Sequence, residues 1–174
     1  MERDHVDLIL EQWSGQRPDL DPSPMGVIAR LFRLTRVLER KIDEVFSEFG
    51  LIQSGFTVLA ALRRAGPPHQ LSPSKLHDSL LVSSGAMTNR IDRLEARGLV
   101  ERVTHPNDRR SVLVALTDEG RTLVDEAVEA VITAEVIMLR TLTSDEQITL
   151  TALLRKLSIQ HEPSWKGGGT RGNG

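Results

Sequence analysis

Only one stretch of this chain reads as β structure, and its place in the sequence constrains the fold more than any other feature. Residues 98–120, "GLVERVTHPNDRRSVLVALTDEG", hold two short β-like runs, "LVERV" and "SVLVALT", around the polar turn "THPNDRR". Two short helical segments precede it directly. Ser72 as N-cap and Pro73 at the first helical position open "SPSKLHDSLL". "VSSGAMTNRIDRLEARG" then runs from a serine cap to a terminal Gly98. Two short helices across a tight turn, followed at once by a hairpin, outline a winged helix-turn-helix.

The remainder is helical by its periodicity. Val6, Leu10 and Trp13 fall at i, i+4 and i+7, predicting a short amphipathic helix over 4–14 with Trp13 on its packed stripe. After the proline-rich connector "RPDLDPSP", a long helix runs from Pro24 to Phe49 and stops at Gly50. A third helix covers Gln53–Ala65. Thr117 is the N-cap of a long helix reaching about Arg140, and Thr143 with Glu146 form a capping box for the last one. The fold class is thus mainly α with a small β-hairpin: a winged helix-turn-helix plus a helical dimerisation domain. Residues 1–50 are read as N-terminal helices for dimerisation and a candidate ligand pocket. Residues 51–117 form the DNA-binding domain, 118–162 the C-terminal dimerisation helices, and 163–174 a glycine-rich disordered tail. The terminal helices carry more apolar surface than so small a core needs, which points to a homodimer.

Charge is distributed unevenly. Thr88–Arg110 holds six arginines and no lysine, in a chain whose formal net charge is −2. Anion binding must therefore be local. The regions 1–29 and 118–162 are net negative and would repel a duplex, which argues against a non-specific architectural DNA binder. The absence of cysteine excludes disulfides and thiol-ligated zinc. The five histidines are scattered without a metal spacing, and no GxSxG, Walker or dinucleotide motif is present, so neither enzyme chemistry nor a cofactor is expected. The start "MERDHVD" is not a signal peptide and no run is long enough to span a bilayer, so a cytoplasmic protein without a membrane partner is expected.

The second short helix has Met87, Ile91 and Leu94 as its buried stripe, which turns Gly85, Asn89, Asp92, Arg93 and Ala96 outward, with Ala86 and Thr88 flanking them. Small residues allow close approach to a major groove, where Asn pairs with adenine and Arg with guanine. A charged helix face is ordinarily just solvated, but the neighbouring hairpin changes the balance. Arg109 and Arg110 lie at its turn, where no core can use them, and Asp108 is placed to orient them. The expected DNA contacts are Ser84, Ala86, Thr88, Asn89, Arg93, Arg109 and Arg110. Arg90 lies roughly 65° from the centre of the buried stripe, at the border of core and groove, as a ligand contact or a salt-bridge partner of Glu95. Arg102 stands beside Glu101, which it can balance across a strand ladder, and Arg97 beside Gly98 can cap a helix end.

The span from "LSPSKLHDSLL" through "THPNDRRSVLVALTDEG" resembles the DNA-binding core of the MarR family of bacterial transcriptional regulators. Asp108-Arg109-Arg110 followed by "LTDEG" is the most specific part, and the similarity covers about residues 22–160. The resemblance implies a homodimer joined by its terminal helices, reading a pseudo-palindromic operator and usually repressing a gene until a small ligand binds. The added N-terminal helix with Trp13 is similar to the urate-responsive branch of that family. That likeness implies a ligand site at Trp13, Arg90 and Arg102. The aspartate of the branch is here Thr57, which can hydrogen-bond a ligand but carries no charge to be repelled by it. The implied effector is a small anionic or aromatic molecule, urate among them. A regulator without a urate response, sensing a metal or another small molecule, is the alternative.

Overall fold

The computed structural model describes residues 2–80, 84–106 and 108–161, and for Ser84 and Arg109 only the backbone. The tail expected to be disordered lies outside the described residues. Seven helices and three strands follow in the order α1 (His5–Gln16), α2 (Ser23–Glu48), α3 (Gln53–Arg64), β1 (Gln70–Leu71), α4 (Pro73–Leu80), α5 (Ser84–Ala96), β2 (Val100–His105), β3 (Asp108–Leu116), α6 (Asp118–Leu139) and α7 (Ser144–His161) among the described residues. They divide into two compact units after Ala134.

Local chemistry sets most of the boundaries. α1 opens on a capping box of two aspartates. Asp4 accepts the backbone N–H groups of Val6 and Asp7, and Asp7 accepts that of Asp4. α2 and α5 end in the same way. Gly50 (φ 61°) and Gly98 (φ 70°) take the left-handed turn that a side chain would disfavour. Leu51 N–H then reaches back to Phe46 O (2.9 Å), and Leu99 N–H to Leu94 O (3.0 Å), which are Schellman closures.

The sheet has the order β1-β3-β2, all antiparallel. β1 is an addition to the expected two-stranded hairpin. It pairs Gln70 with Ala115 and Leu71 with Val114, so β3 is flanked on both sides. The core of the first unit lies between this sheet and α3, α4 and α5. Leu59, Leu62, Leu76 and Val114 are fully buried, joined by Met87, Ile91, Leu94, Leu99 and Val124. Each such side chain contributes about 1.5–3 kcal/mol of burial. The rings of Phe46 on α2 and Phe56 on α3 stack 4.5 Å apart, joining the long helix to this core.

The start of α6 is fitted tightly against the start of β2. Thr117 Oγ1 accepts Gly120 N–H (3.0 Å) and donates to Gly98 O (2.7 Å). A Cβ at Gly120 would lie 1.9 Å from Leu99 O, so only glycine permits this approach. In the second unit, α7 begins with the expected capping box: Thr143 N–H reaches Glu146 Oε2 (2.7 Å) and Glu146 N–H reaches Thr143 Oγ1 (3.3 Å). No α7 residue is buried, and Ile148 (69 %) and Ile159 (77 %) lie open. α2 likewise exposes Phe32 (70 %).

Candidate nucleic-acid interface

α5 sorts its residues by depth. Met87, Ile91 and Leu94 are buried; Gly85, Thr88, Asn89, Asp92, Arg93 and Ala96 are exposed; Ala86 and Arg90 are half-buried. Ser84 starts the helix, and its side chain lies outside the described residues. The open face is therefore small and polar around Asn89 and Arg93, the shape and chemistry a major groove accepts.

An aspartate on that face would repel phosphate, and the structure neutralises it. Arg102 projects from β2 to α5, where its guanidinium bonds Asp92 Oδ1 (2.5 Å) and Glu95 Oε2, while its backbone N–H bonds Glu95 Oε1 (3.2 Å). The Asp92 hydrogen bond is the leading cause of the raised Arg102 pKa. This replaces the expected pairing of Arg102 with Glu101: as neighbours on β2 they point to opposite faces of the sheet, Glu101 opposite Ala115 and Arg102 opposite Val114. It also corrects the reading of Arg90. Glu95 is already held by Arg102, and Arg90 makes no ion pair among the described residues.

The wing is longer than its composition indicates. Asp108, Arg109 and Arg110 were expected within the turn but form the first residues of β3, with Asp108 opposite His105 across a register shift. The Asp108 carboxylate accepts Arg110 N–H (3.0 Å) and the Ser111 hydroxyl (2.5 Å). The Ser111 bond first, then the Arg110 N–H, hold its pKa below the ordinary carboxylate value. Asp108 thus organises the backbone of the tip, and Arg110 is left exposed. The Arg109 side chain lies outside the described residues.

Trp13, Thr57, Arg90 and Arg102 are not joined by any bond among the described residues. Trp13 is 45 % exposed on α1, which corrects the expectation that it packs into the core. Thr57 is half-buried on α3 and donates to Ser54 O (3.1 Å) within its own helix. Sequence reading missed three features. Arg97 does cap a helix end, but that of α2: its guanidinium reaches Gly50 O (2.7 Å) and Phe49 O (3.5 Å), across 47 residues of chain. Gly120 gives no sign in the sequence of the backbone it meets. A second group of guanidinium groups, Arg30, Arg33, Arg36 and Arg40, stands on α2, and its helical spacing was visible. Of these, Arg30 bonds Asp4 (2.8 Å) and Asp7 (2.6 Å).

Among the described residues no three His, Asp or Glu side chains gather to hold a metal, and no single helix is long and apolar enough to cross a membrane. The MarR family profile matches residues 52–112, which is α3 through the wing. The transcriptional regulator PecS of Dickeya dadantii is 40 % identical over 149 residues, covering 86 % of this chain and 90 % of that protein. The multiple antibiotic resistance protein MarR of Escherichia coli is 34 % identical over 137 residues, 75 % of this chain and 92 % of that one. A cysteine-to-serine mutant of E. coli MarR complexed with operator DNA superposes with a TM-score of 0.68 at 31 % identity, over 79 % of this chain and 97 % of that one. With its winged helix-turn-helix and a relative of this similarity along most of its length, the chain belongs to the MarR family of DNA-binding transcriptional regulators.

Proposed function

We propose that this protein is a homodimeric repressor that binds a pseudo-palindromic operator and is released from it by a small anionic or aromatic effector. The observation that carries the reading is the neutralised, small-residue face of α5 next to the wing. Ala86, Thr88, Asn89 and Arg93, with Ser84 at the helix start, enter the major groove. Arg109 and Arg110 reach the minor groove from a wing that Asp108 shapes. E. coli MarR, 31 % identical, has been solved with operator DNA, which supports the same docking here. By two-fold symmetry the two α5 helices enter successive major grooves, about 34 Å apart. The dimer surfaces lie within residues 1–50 and 118–162; the exposed apolar side chains Met25, Ile28 and Phe32 of α2, with those of α6 and α7, support this assignment.

The effector reading places Trp13, Thr57, Arg90 and Arg102 at the ligand. Arg90 carries it furthest, being half-buried beside the reading face and without an ion pair among the described residues. A ligand that lowers operator affinity 100-fold must favour the released arrangement by about 2.7 kcal/mol, within reach of a partly buried Arg–anion pair. Fluorescence anisotropy on DNA from the protein's own upstream region, titrated with urate at fixed salt, tests both levels. Sequence-specific binding released by urate, and lost as a response in Arg90→Ala or Trp13→Phe, is the expected result. Binding untouched by urate would remove urate and retain the regulator; no sequence preference would overturn the operator reading.

A further inference from the structure

The arginines of α2 stand outside the proposed reading face, and they frame a groove between α1 and the middle of α2. Between Arg30 and Lys41 stand five cations and one acid, Glu39. The groove is open to solvent and offers about 560 Å3; Val6, Leu34 and Val37 supply its apolar lining and Arg33, Arg36 and Arg40 its charge. That volume is within the ordinary range for small-molecule sites. Arg30, at the α1 side, is already neutralised by Asp4 and Asp7. The other three form no ion pair among the described residues, and Asp43 and Glu44, one turn beyond Arg40, bond none of them.

Arg33, Arg36 and Arg40 fall at i, i+3 and i+7 and so form one stripe, spanning roughly 10 Å along the helix axis. Like charges at this spacing repel one another. An anion lying across them would relieve the repulsion and gain forked hydrogen bonds at the same time. A single carboxylate leaves most of that charge unanswered. A phosphate monoester carries about −1.5 to −2 at neutral pH and three acceptor oxygens, enough for two or three guanidinium groups. The valine and leucine side chains then require an apolar body on the ester.

We infer that the α1–α2 groove is a binding site for a small phosphate monoester with an apolar body, held by Arg33, Arg36 and Arg40 over Val6, Leu34 and Val37. The site is separate from the effector arrangement around Arg90, and either can fail without the other.

Isothermal titration of the full-length protein with phenyl phosphate, near physiological ionic strength, is the test. One site per chain is expected. Affinity should exceed that of inorganic phosphate by about tenfold, because of the apolar body, and that of benzoate by a similar factor, because of the second charge. Arg36→Gln and the pair Arg33→Gln/Arg40→Gln should each weaken phenyl phosphate at least fivefold, while ligand-free operator affinity and the sedimentation coefficient stay as in the parent. Three results would overturn the proposal: no heat with phenyl phosphate, equal affinity in a variant lacking all three guanidinium groups, or dissociation of the variants into monomers. The last would assign these side chains to the contact with a second copy of the chain.

Discussion

Single side chains decide how the reading head is held. Gly120 is the sharpest case, because a methyl group there would fall 1.9 Å from the Leu99 carbonyl oxygen. Gly120→Ala should destabilise the protein by about 1–3 kcal/mol, as forced repacking does, read as a lower urea midpoint. Arg102 should behave in the opposite way, with little effect on stability and a clear one on binding. Its two ion pairs are substantially exposed, so Arg102→Ala should cost about 1 kcal/mol or less in folding. Freed Asp92 would then face phosphate, and operator affinity should fall by about tenfold at low salt and much less at high salt, where screening hides the repulsion. Anisotropy at two salt concentrations separates these. The partner of Arg102 was not legible in the sequence, since its nearest acid in the chain is Glu101. Which carboxylate it meets depends on the rotation of β2 against α5, and only the folded register fixes that.

Elements were legible where they carry their own punctuation. The helices opened by Ser72-Pro73, Thr117 and Thr143 and those closed by Gly50 and Gly98 are found within a residue or two of expectation. Each of those signals satisfies a backbone group locally. β1 was not legible: two residues have no alternation to display, and its existence rests on pairing with β3. The wing boundary was misjudged because "NDRR" has the composition of a turn, whereas the Asp108 carboxylate holds that backbone in strand geometry. Asp108→Ala should loosen the tip and weaken operator binding severalfold with an almost unchanged melting temperature. α1 has a pH dependence of its own. Arg30 lowers the pKa of Asp4 by direct hydrogen bonding and contributes to the lowering at Asp7, after the Asp4 backbone N–H. A depressed folded value means stabilisation that is complete above the unfolded carboxylate value of 3.8 and is lost as pH falls through the lower folded value. In a Trp165→Phe background, Trp13 emission should stay constant through neutral and mildly acidic pH and shift only below about pH 4.

At the scale of the whole molecule, the exposed apolar side chains of α7 carry the expectation of a dimer. Ile148→Asp together with Leu153→Asp should yield monomers by sedimentation. Operator affinity should drop by about 100-fold or more, because each half-site is then bound without the gain from linkage. The family and the winged fold were legible from the sequence, since the motifs lie in one continuous span; the proposed effector residues Trp13, Thr57, Arg90 and Arg102 stand on four separate elements, α1, α3, α5 and β2, so no one span can show them together. One contact bears on how any effector signal can arrive. Arg97, the residue after the end of α5, holds the two carbonyls that directly follow α2, Phe49 O and Gly50 O. It fastens that end of the reading helix as a ball joint does, resisting separation while tolerating rotation. A displacement of α2 would then swing α5 about its C-terminal end. The widest arc would be traced by the opposite end, where Ala86, Thr88 and Asn89 would meet the bases, so a small tilt at the pivot would suffice to unseat them.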